Sequence, residues 1–241
     1  MIRAILLTAL LAWSPAALRA EPACPIAPEH ALTELALPAA KSAFAKPDPL
    51  KIVALGSAPT EGAAAGDPQM TYPARLQARL AAAFPGREIT VLNKGKAHET
   101  TAEMAKRIAR DVVAEHPALV IWEAGTVDAA RSLDLESFGS ALDEGLDALR
   151  AAGIDIIVMD MQYAPSTVSI IDFGPYIDAL RAVAERASVP VFDRYEVMHD
   201  WGESGLFTYD ETAPPARMAT ARKVYDCLAA GLADGIAAAL K

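Results

Sequence analysis

The sequence predicts a doubly wound α/β domain, in which helices cover both faces of a parallel β-sheet. Two observations lead to this prediction. Short runs rich in branched apolar residues alternate with longer segments whose apolar residues recur at helical spacing. The segments between the apolar runs are long enough to form helices, and parallel strands need crossover connections of that length.

Each element follows from this alternation. Apolar runs predict strands at residues 51–56, 88–93, 118–125, 154–162 and 189–195. Helical spacing predicts helices at residues 72–84, 101–116, 135–153, 174–187 and 220–240, and one more stretch within 30–45. In such sheets, ligands bind in the crevice at the carboxyl ends of the strands. The residues that follow each strand are therefore the candidates for a functional site.

The chain begins with the pattern of a secretory signal peptide. Arg3 precedes an apolar run from Ala4 to about Trp13, and small residues lead to Ala20. The run is shorter than the roughly 20 apolar residues that span a bilayer, so we expect cleavage and a periplasmic or secreted protein. A retained signal anchor is the alternative. The expected organisation is a signal peptide at 1–20, an N-terminal extension at 21–50 and one domain at 51–241, without an integral membrane segment after cleavage.

Charge and cysteine content narrow the possible partners. The 22 basic and 31 acidic residues give a net charge of −9, and no run of Lys or Arg is present. Nucleic acid and anionic membranes are therefore not expected partners.

Cys24 and Cys227 are the two cysteines. In an oxidising compartment such a pair indicates one disulfide, with two separate buried thiols as the alternative.

Segments that follow the predicted strands carry recognisable motifs. Residues 56–62 read GSAPTEG, residues 93–98 read NKGKAH, and residues 125–128 read GTVD. Together these segments resemble the SGNH/GDSL hydrolases, a family of esterases, lipases, thioesterases and carbohydrate deacetylases. The resemblance extends from about residue 51 to 236. It implies a flavodoxin-like, three-layer αβα fold with a five-stranded parallel sheet, and ester hydrolysis as the family reaction.

The residues at the chemical positions depart from the family pattern. In G-D-S-x-T-x-G, Ser57 stands at the aspartate and Ala58 at the nucleophilic serine. Alanine has no oxygen that can attack an acyl carbon. His98 replaces the last glycine of N-x-G-x-x-G, whose N–H would face the oxyanion. Val127 replaces the asparagine of G-x-N-D, the other oxyanion donor.

The last family block, D-x-x-H, would lie shortly before the final helix. Alignment places Ala216 and Ala219 at its acid and histidine, and no histidine follows His199. The nucleophile, the base, the residue that orients it and one oxyanion donor are thus all replaced. The sequence therefore favours a non-catalytic homologue over an enzyme. Asp128, the acid of the third block, is expected to anchor its loop.

A small acyl or carbohydrate ligand, or an envelope protein, is the expected partner of the crevice. We expect no cofactor, and no metal because the residues around His199 match no usual ligand spacing. Two alternatives stay open: an active hydrolase that uses Ser57 with His98 or His199, and a structural envelope protein. The aromatic residues Trp201 and Phe207 could line a ligand pocket. The candidate binding residues of the crevice are Ser57, Ala58, His98, Gly125, Thr126, Val127 and Tyr163.

Overall fold

The protein contains the predicted parallel sheet. A computed structural model describes residues 24–241, and the predicted signal peptide lies outside the described residues. The strands, all parallel, have the order β2-β1-β3-β4-β5, which is that of a flavodoxin-like sheet. The predicted fold class is confirmed. The strands are β1 (Leu50–Gly56), β2 (Ile89–Gly95), β3 (Leu119–Glu123), β4 (Asp155–Met159) and β5 (Val191–Phe192).

Helices connect and cover the strands. The helices of the described chain are α1 (Pro38–Phe44), α2 (Ala58–Glu61), α3 (Tyr72–Ala83), α4 (Thr101–Asp111), α5 (Thr126–Ala130), α6 (Leu135–Ala151), α7 (Pro165–Val168), α8 (Gly174–Arg186), α9 (Arg194–Glu203) and α10 (Pro214–Leu240). Short 3₁₀ turns lie at Pro28–His30, Ala63–Ala65, Pro68–Met70 and Val113–Glu115.

Both faces of the sheet are buried. Side chains of β1 alternate between two apolar clusters: Ile52 and Ala54 belong to one, Val53 and Leu55 to the other. The first cluster includes residues of α1, α3, α9 and α10, and the second includes residues of α4, α6 and α8. Burial on both faces explains why the strands read as continuous apolar runs.

Prolines set two helix boundaries that differ from the prediction. The helical stretch expected within 30–45 contains only α1 and part of a 3₁₀ turn, because Pro38 disfavours helical backbone at the residue before it. The last helix begins at Pro214 rather than 220, since proline suits the first turn of a helix, where its missing N–H removes no intrahelical hydrogen bond. Ala216 and Ala219 therefore lie inside α10. The expectation that they precede the final helix was wrong.

The N-terminal extension is attached to the domain by a disulfide. Cys24 is bonded to Cys227 of α10 with their Cα atoms 5.4 Å apart, which confirms the predicted pair. The Ala40 N–H donates to Asp155 Oδ2 at 2.8 Å, and Trp201 Nε1 donates to the Pro25 carbonyl. No helix of residues 24–241 is both long and apolar enough to cross a membrane.

Candidate functional site

Two glycines, at the ends of β1 and β2, lie so close to the turn after β1 that a larger residue would not fit at either position. A Cβ at Gly56 would lie 2.1 Å from Thr60 Oγ1 and 2.7 Å from Glu123 Oε2. A Cβ at Gly95 would lie 2.1 Å from the backbone N of Glu61. Both glycines belong to the motif residues that match the family pattern. They are required by packing and do not themselves indicate catalysis.

Asn93 and Asp128 tie the neighbouring turns together. Asn93 Nδ2 donates to the Thr60 carbonyl at 2.8 Å, and Asn93 Oδ1 accepts the Gly95 N–H at 2.9 Å. Asp128 accepts the backbone N–H and the hydroxyl of Thr101 at 3.0 and 2.9 Å. Asp128 thus anchors its loop to the start of α4, as expected. Asn93 and Asp128, two motif residues that this chain retains, therefore fix the backbone of these turns.

The position that the motif comparison predicts for the nucleophile faces the outside of the protein. Ala58 is the first residue of α2 and is exposed. Ser57, directly before it, is only 1% exposed. The Ser57 N–H donates to Glu123 Oε2 at 2.7 Å, and its hydroxyl donates to the same oxygen at 3.0 Å. The hydroxyl of Ser57 is therefore turned into the protein, away from any ligand in the crevice.

Glu123, the last residue of β3, is the centre of a buried polar network. It also accepts hydrogen bonds from Thr60 Oγ1 at 3.2 Å and Thr126 Oγ1 at 2.8 Å. Arg194 Nη2, at the start of α9, lies 3.5 Å from Glu123 Oε1, and both side chains are almost completely buried. A carboxylate can be buried at this depth because a cation and several donors compensate its lost hydration.

Glu123 and Arg194 are not among the site residues that the sequence motifs predict. Each lies near the carboxyl end of a predicted strand, Glu123 within ALVIWEAG and Arg194 within VPVFDRY, where Asp193 is also charged. A charged residue in a strand buried on both faces needs a partner. Two such residues of opposite charge, at the carboxyl ends of their strands, were therefore a signal for this ion pair.

The remaining candidate residues of the crevice are more dispersed. His98 is exposed and has φ = 67°, a left-handed conformation that favours the glycine of the family pattern. Gly125 has φ = 88° and precedes the half-buried Thr126 and Val127. Among the described residues, Ser57 forms side-chain hydrogen bonds with Glu123 alone. Ser57 and Thr126 thus both donate hydrogen bonds to Glu123. Within residues 24–241, no histidine forms a hydrogen bond with the Ser57 hydroxyl.

Tyr163 and His199 belong to an aromatic cluster after β4 and β5. The ring of Tyr163 is buried and lies nearly perpendicular to the rings of Tyr195, His199 and Tyr209, with centroids 5.5, 4.9 and 6.1 Å away. His199 is half-buried on α9, with Nδ1 3.9 Å from Asp200. In the part of the chain that the structure describes, no group of three or more His, Cys, Asp or Glu side chains is placed to hold a metal ion.

Asp160, which follows β4, is a second buried carboxyl. Its Oδ1 accepts the Tyr195 N–H at 2.9 Å, whereas Oδ2 has no hydrogen-bond partner among residues 24–241. Arg181 Nη2 is 3.9 Å from Oδ2. Burial raises the pKa of Asp160 to about 7, against the hydrogen bond from Tyr195 and the charge of Arg194. The native state therefore holds this proton more tightly than the unfolded chain does.

We expect Asp160→Asn to remove one part of the pH dependence of stability. The unfolded carboxyl loses its proton near pH 4 and the native one near pH 7, so rising pH lowers the free energy of unfolding across this interval, by at most about 1.4 kcal/mol per pH unit. Urea unfolding at several pH values measures the slope. The matched control is Asp178→Asn, an exposed carboxylate on α8. Equal slopes in wild type and Asp160→Asn would contradict the expectation.

The flavodoxin-like sheet, together with the family match given next, places the chain in the SGNH/GDSL hydrolase-like class. More narrowly, the model of the Non-GDSL lipase-like family matches residues 23–241, and the chain belongs to this family. A comparison with curated protein sequences finds no match.

Solved structures of hydrolases share the fold. LAE5, an alpha/beta hydrolase enzyme from the metagenome of Lake Arreo, Spain, has a TM-score of 0.65 and 20% identity over 80% of this chain and 96% of its own. The lipase/acylhydrolase from Enterococcus faecalis has a TM-score of 0.61 and 23% identity over 80% and 97%. Axe2, an acetylxylan esterase from Geobacillus stearothermophilus, has a TM-score of 0.62 and 18% identity over 78% and 94%. At these identities the likeness concerns the fold alone.

Proposed function

We propose that this chain is an exported, catalytically silent member of its hydrolase class, which binds a small acyl or carbohydrate ligand, or an envelope protein, in the crevice. One observation carries the proposal. Ala58 is exposed at the start of α2, where the family pattern has its nucleophile, while the neighbouring hydroxyl of Ser57 is buried against Glu123. An ester carbonyl in the crevice would meet a methyl group at Ala58 instead of a nucleophilic oxygen.

The replacement of the other chemical residues supports the same reading. Val127 has no side-chain donor for an oxyanion, and one lost donor typically lowers the rate by about 10²- to 10³-fold. Ala216 and Ala219 stand three residues apart in α10 and bring neither an acid nor a base to the site. The disulfide between Cys24 and Cys227 supports export, because such bonds persist in oxidising compartments.

An active hydrolase is the second candidate, favoured by the contact of Ser57 with a carboxylate. A serine hydroxyl 3.0 Å from Glu123 has a possible proton acceptor. However, Ser57 is almost inaccessible, and the Glu123 carboxylate is already engaged by Arg194 and by the hydroxyls of Thr60 and Thr126. A structural envelope component is the third candidate, and it predicts a stable protein partner without a small ligand.

Ester hydrolysis is the direct test of the silent site. We expect the protein to hydrolyse p-nitrophenyl acetate and butyrate no faster than buffer does, and a fluorophosphonate to leave Ser57 unlabelled. The variant that restores Ala58→Ser, His98→Gly, Val127→Asn, Ala216→Asp and Ala219→His should exceed the parent by about 10²-fold or more, because each group acts on the transition state.

A matched variant keeps this test specific. The same restored chain with alanine retained at position 58 has the other four changes but no nucleophile, so it should stay at the buffer rate. Turnover by the unaltered protein that is lost in Ser57→Ala would overturn the silent-site proposal and establish the second candidate.

A further inference from the structure

A cavity of about 400 Å³ lies between α3 and α10, beside the disulfide. Its lining shares no residue with the candidate crevice set. Met70, Leu206 and Phe207 form apolar parts of the wall, and Cys24 and Cys227 form another. Its volume falls within the range of small-molecule sites, which combine mostly apolar walls with a few placed polar groups.

The polar part of this wall is strongly cationic. Arg75 and Arg79 of α3 and Arg222 and Lys223 of α10 line the cavity, and its lining holds a single carboxylate, Asp226. Four positive side chains against one negative one leave a formal balance of +3, in a protein whose net charge is −9. A positive concave patch on an acidic protein attracts anions selectively.

Asp226 neutralises only part of this charge. Arg75 Nε donates to Asp226 Oδ1 and Arg79 Nη2 to Oδ2, each at 2.7 Å. Burial opposes ionisation of Asp226, yet the hydrogen bonds from Arg79 and Arg75 hold its pKa below the ordinary value. The carboxylate therefore stays charged at neutral pH, and both of its oxygens are already occupied by these two arginines.

Arg222 and Lys223 have no such compensation. Arg222 donates through Nε to the Ala65 carbonyl at 2.8 Å, which fixes the side chain and leaves its two terminal nitrogens available. Within residues 24–241, no carboxylate lies within ion-pair distance of Arg222 or Lys223. A fixed guanidinium with unused paired donors suits a carboxylate or phosphate group.

We propose that this cavity binds an anionic amphiphile, a molecule with one carboxylate or phosphate headgroup joined to an apolar chain. Arg222 and Lys223 bind the headgroup, and Met70, Leu206 and Phe207 contact the chain. Charge alone would suit an inorganic anion, and apolar walls alone would suit a neutral ligand. The combination of the two in one cavity favours a ligand with both parts.

Calorimetric titration with four ligands below their micelle-forming concentrations tests the proposal. Decanoate or decyl phosphate should bind with a Kd below about 1 mM. Decanol, which lacks the charge, and acetate, which lacks the chain, should bind at least about tenfold more weakly. Tighter binding of decyl phosphate than of decanoate would identify phosphate as the preferred headgroup, and the reverse would identify carboxylate.

Two charge variants on one helix locate the binding site. Lys223→Glu should weaken binding of the preferred anion about tenfold or more, and added salt should reduce the difference from wild type. Arg217→Glu makes the same change at an exposed position of α10 outside the cavity lining, and should leave binding unchanged. The proposal is overturned if neither anion binds, if decanol binds as tightly as the anions, or if Lys223→Glu and Arg217→Glu behave alike. Equal thermal midpoints of the two variants establish that both are folded.

Discussion

Replacing Cys24 and Cys227 together by alanine is expected to lower the free energy of unfolding by about 4 to 5 kcal/mol. The two cysteines are 203 residues apart, so their bond closes a loop that contains every strand of the sheet. In the chain-entropy model, the cross-link removes many conformations of the unfolded chain, and the effect grows with loop length. Alanine is chosen because the side chain of Cys227 is buried, where serine would add an unpaired hydroxyl.

Urea unfolding under oxidising and reducing conditions measures this effect. Reductant should destabilise the wild type by a similar amount and leave the double alanine variant unchanged. A loss below about 1 kcal/mol would contradict the entropic expectation. Loss of the bond should also loosen the extension, whose residues Leu37 and Ala40 belong to the apolar core. Proteolysis within residues 24–50 should therefore become faster in the variant.

Breaking the buried ion pair is the other change with a large expected effect. We expect Glu123→Gln to lower the free energy of unfolding by about 3 to 5 kcal/mol, because Arg194 would keep a buried charge without its counter-ion. The new amide group would also face donors, since Ser57, Thr60 and Thr126 all donate to Glu123. Chemical denaturation of the purified variant measures the loss.

Two further variants distinguish the cost of an unpaired buried charge from the ordinary cost of losing an ion pair. The double variant Glu123→Leu with Arg194→Met removes both charges, and should be more stable than Arg194→Met alone. Arg150→Met breaks an exposed pair with Asp147 on α6, for which we expect a loss of at most about 1 kcal/mol. If Glu123→Gln is no more destabilising than Arg150→Met, the Glu123–Arg194 pair does not support the turn after β1.

The pattern of apolar runs was sufficient to predict the sheet, whereas the polar network depended on tertiary contacts. Burial on both faces leaves a clear local signal in strands such as β1 and β3. The partnership of Glu123 and Arg194 leaves no comparable local pattern, because 71 residues separate them along the chain, and only their opposite charges near the ends of predicted strands pointed to it. β5 is only two residues long, since the chain enters α9 at Arg194.

At the candidate site, too, the sequence motif reveals one residue, Ser57, whereas only the folded structure reveals its partner, Glu123. The family pattern has an acid at position 57, where this chain has serine. In the folded protein, the carboxylate of Glu123 reaches the backbone N–H and hydroxyl of Ser57 from the neighbouring strand. An acid at both positions would place two carboxylates together in a buried space, so serine at 57 and glutamate at 123 suit each other. Motif alignment detects the change at Ser57 but not its partner.

The position of the disulfide also determines how the protein would respond to mechanical force. A pull applied at the two ends of the chain reaches Cys24 from one side and, through the last turns of α10, Cys227 from the other. The covalent bond between these residues carries the tension. The sheet and the crevice lie within the closed loop and bear no load. Stretching the oxidised protein should therefore extend only the chain outside the loop, whereas the reduced protein should unravel strand by strand.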